Sequence, residues 1–130
     1  MKALDIDSQP CLIHTAGTPK AVLIQLTARH ERIDSELSLI EQGSQMGFVF
    51  VGIDLQQWAL SLMPWADEAV ARDPEVGRHA IDTLDYVTRQ LLPYIYNRYG
   101  QLPCILGGYS LGGLFSLWAA SECPLFDAVA

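Results

Sequence analysis

Three short runs of nearly unbroken apolar residues dominate the pattern of this chain: residues 21–26 (A-V-L-I-Q-L), 48–53 (F-V-F-V-G-I) and 104–109 (C-I-L-G-G-Y). Runs of this length, rich in β-branched and aromatic residues, predict strands covered on both faces. Residues 11–15 form a weaker strand candidate, followed by the turn signal Gly17-Thr18-Pro19. Residues 27–34 are polar and predict a loop. Residues 35–42 carry Leu37 and Ile40 at helical spacing from Ile33, with Gly43 as a stop. Residues 54–73 are rich in Trp, Leu and Met, are broken by Pro64 and show no clear period. The longest helical pattern covers residues 75–99. Ile81, Leu84, Asp85, Thr88, Leu91, Leu92 and Ile95 mark its faces, and Gly100 ends it. Pro93 lies inside and predicts a kink or a split, because proline removes one helical hydrogen bond and crowds the preceding turn. Residues 111–121 predict a helix with small residues at its start, and residues 126–130 begin like another strand.

Strands that alternate with helices predict an α/β fold: a mostly parallel sheet with helices on both faces. Ligands of such sheets bind beyond the carboxyl ends of the strands. The loops after Leu26, Ile53 and Tyr109 are therefore expected to meet on one rim. The strands near Val22, Val49 and Ile105 are expected to be adjacent and parallel, since both connections are long enough for helical crossovers.

Composition narrows the function classes. The chain has 130 residues, half of them hydrophobic, which fits one domain with its own core. The net charge of −7 offers no electrostatic attraction to nucleic acid or an anionic membrane. Residues 1–10 are polar and acidic, unlike a signal peptide, and no apolar run approaches the roughly 20 residues of a membrane span. A cytoplasmic protein is expected. The three cysteines, Cys11, Cys104 and Cys123, have no metal-like spacing and read as buried reduced thiols. Asp5, Asp7, Asp82 and Asp85 form no metal-ligand pattern with histidine or cysteine. Neither G-x-x-x-x-G-K-[ST] nor G-x-G-x-x-G occurs, so no metal, nucleotide or other cofactor is expected.

The candidate chemistry lies in Gly107-Gly108-Tyr109-Ser110-Leu111-Gly112-Gly113. Gly108, Ser110 and Gly112 make G-x-S-x-G. When a chain turns sharply from a strand into a helix with a serine at the apex, side chains two residues before and after the serine collide. Glycine fits both places. The following helix points its N-terminal N–H groups and its positive dipole end at the serine, which places the Leu111 N–H to bind an oxyanion. An apolar strand before the motif and an apolar helix after it, residues 114–120, supply the context that it requires.

On these residues, G-G-Y-S-L-G-G-L-F-S-L-W-A-A followed by F-D-A-V-A, the sequence resembles the α/β-hydrolase superfamily. Within it, the sequence is similar to serine esterases of the esterase D and siderophore-esterase type. The close resemblance covers residues 102–130; residues 21–53 resemble the family in strand order and spacing. The resemblance implies a three-layer α/β-hydrolase-like sandwich and an acyl-serine intermediate at Ser110. It implies one oxyanion N–H from Leu111 and a second from the loop after the first strong strand, Leu26-Thr27-Ala28-Arg29-His30. Thr27-Ala28 replaces the family's usual His-Gly there, so Ala28 or Arg29 is the expected donor.

In the family an acid and then a histidine follow the serine. After Ser110 this chain offers only Glu122 and Asp127, both too early for that acid, and no histidine. Residues 1–130 therefore read as the N-terminal part of a single, longer hydrolase domain, truncated after the helix that follows the nucleophile turn. His30, on the expected rim, is the best substitute base; His14 and His79 read as structural or solvated. Trp58, Met63 and Trp65 are candidates to line a substrate pocket. The expected activity is hydrolysis of small-molecule carboxylic esters. The rival readings are a non-catalytic binding or oligomerisation module, self-associating through an exposed sheet edge, and an acyltransferase on the same fold.

Overall fold

The computed structural model describes residues 1–28 and 33–130. Strands β1 (Lys2–Ile6) and β2 (Gln9–Ala16) form a hairpin. Its two loop residues, Asp7 and Ser8, have φ of 51° and 68°, and two consecutive positive φ values match the right-handed twist of the flanking strands. β3 (Val22–Thr27) leads to α1 (Ile33–Gly43), then β4 (Phe48–Asp54) and the short α2 (Trp58–Leu62). The long helical region comprises α3 (Ala80–Tyr86), a π-helical turn (Val87–Leu91) and α4 (Leu92–Tyr99). β5 (Cys104–Gly108), α5 (Leu111–Glu122) and β6 (Ala128–Val129) complete the chain.

The six strands form one sheet in the order β1-β2-β4-β3-β5-β6. β3 lies between β4 and β5, parallel to both, with Val22 opposite Val49 on one side and Cys104 on the other. This is the arrangement expected for the three strong strands. β6 adds in parallel to β5, while β1 and β2 run antiparallel at the other edge.

Alternation along the central strands separates two apolar layers. Val49, Val51 and Ile53 of β4 join Val22, Ile24 and Leu26 of β3 in the main core, together with Leu84, Val87, Leu91, Ile95, Phe115 and Ala119 of the helices. Phe48 and Phe50 point the other way and pack with Ile33 and Leu37 of α1. Each buried aliphatic or aromatic side chain contributes on the order of 1.5–3 kcal/mol relative to exposure. α1 therefore covers one face of the sheet and α3 to α5 the other. Among the described residues, no helix is long and apolar enough to cross a membrane.

The expected helix over 75–99 begins five residues later and is split. Gly77 stops an earlier start: its φ is 101°, and a Cβ there would lie 2.4 Å from the Ala66 nitrogen. Pro93 marks the split. The Leu92 N–H bonds back to the Val87 carbonyl, five residues earlier. This wide turn accommodates a proline ring that would otherwise press on the carbonyl four residues before it. Tyr86 then anchors the region to the hairpin, its hydroxyl donating to the Ile6 carbonyl at 2.8 Å.

Cys11, Cys104 and Cys123 are free; the first two are buried and Cys123 is half-buried. Burial, with the Asp127 carboxylate adding to it, pushes the Cys104 thiol up to about 12. The thiolate is the reactive form. Cys104 is therefore expected to stay unmodified by a thiol reagent at pH ~8 while Cys123 reacts, and to react only on unfolding. Peptide mapping after timed alkylation checks this. Rapid labelling of native Cys104 would contradict its place in the core.

Candidate active site

β5 ends at Gly108 and α5 begins at Leu111, so two residues make the whole turn. Ser110, at the apex, has φ 58° and ψ −114°. Non-glycine residues rarely adopt this region, and holding one there costs about 1–3 kcal/mol. The glycines on either side make the turn possible. A Cβ on Gly108 would lie 2.7 Å from Gly112 Cα, and one on Gly112 would lie 3.3 Å from the Trp58 ring. The Gly112 N–H bonds to the Tyr109 carbonyl at 2.9 Å and the Leu114 N–H to the Ser110 carbonyl at 3.1 Å. These bonds fix the first turn of α5 directly after the serine. The Leu111 N–H is one of the first-turn groups that a helix leaves without an internal acceptor. Because Ser110 carries the strain, Ser110→Gly is expected to raise stability by about 1 kcal/mol while deleting the hydroxyl. Urea denaturation of the two proteins measures this; an unchanged or lowered midpoint would contradict the strain.

Ser110 is exposed and opens onto a cavity of about 520 Å³. Leu26, Thr27 and Ala28 at the end of β3, Ile33 and Glu36 of α1, Gln25, Trp58 and Tyr109 line it with the serine. The expected meeting of the rim loops is thus observed for the segments after β3, β4 and β5. Ala28, a candidate second oxyanion donor, shares the cavity with Ser110. Arg29, the alternative donor, and His30, the candidate substitute base, lie outside the described residues.

No family model matches the sequence, and no curated protein is matched either. Solved structures do match. The enterochelin esterase of Shigella flexneri superposes with a TM-score of 0.70 at 19% identity, over 98% of this chain and 34% of that one. A zinc-bound cold-adapted esterase from an Arctic intertidal metagenomic library gives 0.61 at 16% identity, over 98% of this chain and 55% of that one. Mycobacterium tuberculosis MPT51 gives 0.56 at 10% identity, over 91% and 42%. The chain has the α/β-hydrolase fold. It spans about a third of the enterochelin esterase and about half of the cold-adapted esterase.

Within this hydrolase fold, neither acid after Ser110 is placed to serve it. The Asp127 carboxylate accepts the Cys104 N–H at 2.8 Å, at the start of β5. Ser110 lies beyond the opposite end of that strand, roughly 20 Å away at ~3.3 Å per residue. Glu122 ends α5, about 18 Å from the serine at ~1.5 Å per residue. His14 of β2 pairs with Glu41 at the end of α1, its Nε2 2.5 Å from Oε1. His79 contacts Glu75 at 2.9 Å and Asp82 at 3.0 Å, and these two bonds raise its pKa. Neither histidine lines the cavity.

Of the pocket-lining candidates after β4, Trp58 lines the cavity; Met63 is buried and Trp65 is half-exposed, and neither lines it. Sequence reasoning passed over Gln25 and Glu36. The available signal was Gln25 itself, the one polar residue inside the run 21–26.

Proposed function

We propose that the chain is the nucleophile-bearing part of a serine hydrolase acting on small-molecule carboxylic esters. The observation that carries this reading is Ser110 held at φ 58°, ψ −114° between β5 and α5, open to a cavity of about 520 Å³. Ser110 Oγ attacks the ester carbonyl and loses its proton to a histidine. His14 and His79 are engaged elsewhere, which leaves His30 or a histidine outside residues 1–130 as the base. The tetrahedral oxyanion is held by the Leu111 N–H and by a backbone N–H of Ala28 or Arg29. Each such donor is worth about 100- to 1000-fold in rate. The alcohol leaves, and water hydrolyses the acyl-serine to release the carboxylic acid and restore Ser110.

The test is product analysis with short-chain aryl esters, using the protein extended through the coding sequence downstream of Ala130. Hydrolysis to the acid that depends on Ser110 supports the reading. Transfer of the acyl group to an added alcohol in preference to water would make the protein an acyltransferase, and no Ser110-dependent product would leave it a binding module. Strands β1 and β6 bound the sheet among the described residues. Self-association through such an edge is the accompanying expectation, read by sedimentation of 1–130 over a concentration series.

A further inference from the structure

Gln25 is an anomaly in β3. It interrupts an apolar run on the central strand of the sheet, and both of its register neighbours are glycines, Gly52 on β4 and Gly107 on β5. Polar groups in such a place persist when they are hydrogen-bonded. Gln25 Nε2 donates to Glu36 Oε2, on the first turns of α1. An apolar pair would tie α1 to the sheet without desolvating a charge. The pair present instead holds a half-buried carboxylate at the wall of the cavity that contains Ser110.

Among the described lining residues Glu36 is the one carboxylate, and none is basic. Its second oxygen can only accept hydrogen bonds. Trp58 and Tyr109 add two aromatic rings to the same cavity. A carboxylate combined with aromatic faces is the chemistry that receives an ammonium group, through charge and through the ring quadrupole. We propose that Glu36 is a specificity-determining residue that directs the site toward esters bearing a protonated or quaternary amine. This deepens the esterase reading and rests on it. Ser110 performs the acyl chemistry, and Glu36 with Trp58 selects the cationic end of the substrate.

The proposal is tested by binding, apart from turnover. Two amide isosteres of an aryl ester are compared by calorimetry on native 1–130, one tipped with trimethylammonium and the other with the uncharged, isosteric tert-butyl group. The cation is expected to bind about tenfold more tightly at low salt. The preference is expected to vanish in Glu36→Gln. In the native chain it should also shrink toward unity at ~1 M salt, where the screening length is only about 3 Å. A preference that persists at ~1 M salt would overturn the proposal even if Glu36→Gln fails to fold. Equal affinities in the native protein at low salt, or a preference that survives Glu36→Gln, would overturn the proposal. Loss of the esterase reading has a different signature: cation-selective binding without Ser110-dependent ester cleavage by the extended protein.

Discussion

On the proposed reading, Ser110→Ala is expected to lower ester turnover by about a million-fold in a protein extended through downstream coding sequence that supplies a histidine, yet to change turnover by 1–130 alone by less than about tenfold. The contrast follows from how a nucleophile and its base work as a unit. A serine hydroxyl is a weak nucleophile at neutral pH until a base takes its proton. Once the base is missing, deleting the hydroxyl as well removes little more. What remains is catalysis by the oxyanion site and by binding, about 1000- to 10,000-fold over water. In 1–130 that residue of activity would come from the Leu111 N–H and the cavity wall. Steady-state assays with an activated aryl ester on the four proteins give the comparison. Turnover by 1–130 that matches the extended protein and collapses in Ser110→Ala would place a working base within these 130 residues. His30→Ala would then be the variant to measure.

Gly108→Ala is expected to destabilise the fold by roughly 1–3 kcal/mol, the usual cost of forcing atoms into a packed site. The added methyl would lie 2.7 Å from Gly112 Cα, which is backbone and cannot rotate away. Relief requires β5 and α5 to separate at the corner, which also turns Ser110 out of its conformation. Gly112→Ala differs in kind. Its methyl meets the edge of the Trp58 ring at 3.3 Å, and a side chain can yield. Alanine also favours helix over glycine by about 1 kcal/mol, so the net change in stability should be near zero. The effect should appear in the cavity wall, as altered substrate affinity. Urea midpoints for the two variants measure the contrast. Equal and small effects would mean that the corner is not closed as tightly as these distances require.

The sequence was most informative where structure is decided locally. Three apolar runs became the three central strands because a strand covered on both faces needs little else. The corner at Ser110 was legible because its steric demand falls on residues two positions away. β1 was hidden: it is an edge strand, and only Leu4 and Ile6 turn inward from a stretch that reads as polar. Pro93 announced a break in the long helix, but not that a π-helical turn would carry the chain through it. α2 is only five residues long and is held by the elements around it, so no periodicity could reveal it. Gln25 and Glu36 are eleven residues apart and meet only after β3 and α1 have docked. Asp127 sits earlier in the sequence than the acid of the family it resembles, and in the fold its carboxylate accepts the Cys104 N–H at the start of β5.

The identity of the nucleophile is tested most directly by locating the covalent adduct. Native 1–130 and Ser110→Ala are treated with a phosphonylating reagent, with and without imidazole as a soluble base, and the modified residue is mapped by mass spectrometry. A single adduct on Ser110, formed faster with imidazole and absent from Ser110→Ala, is the expected result. An adduct on another residue, or an unmodified Ser110 in the presence of imidazole, would contradict it.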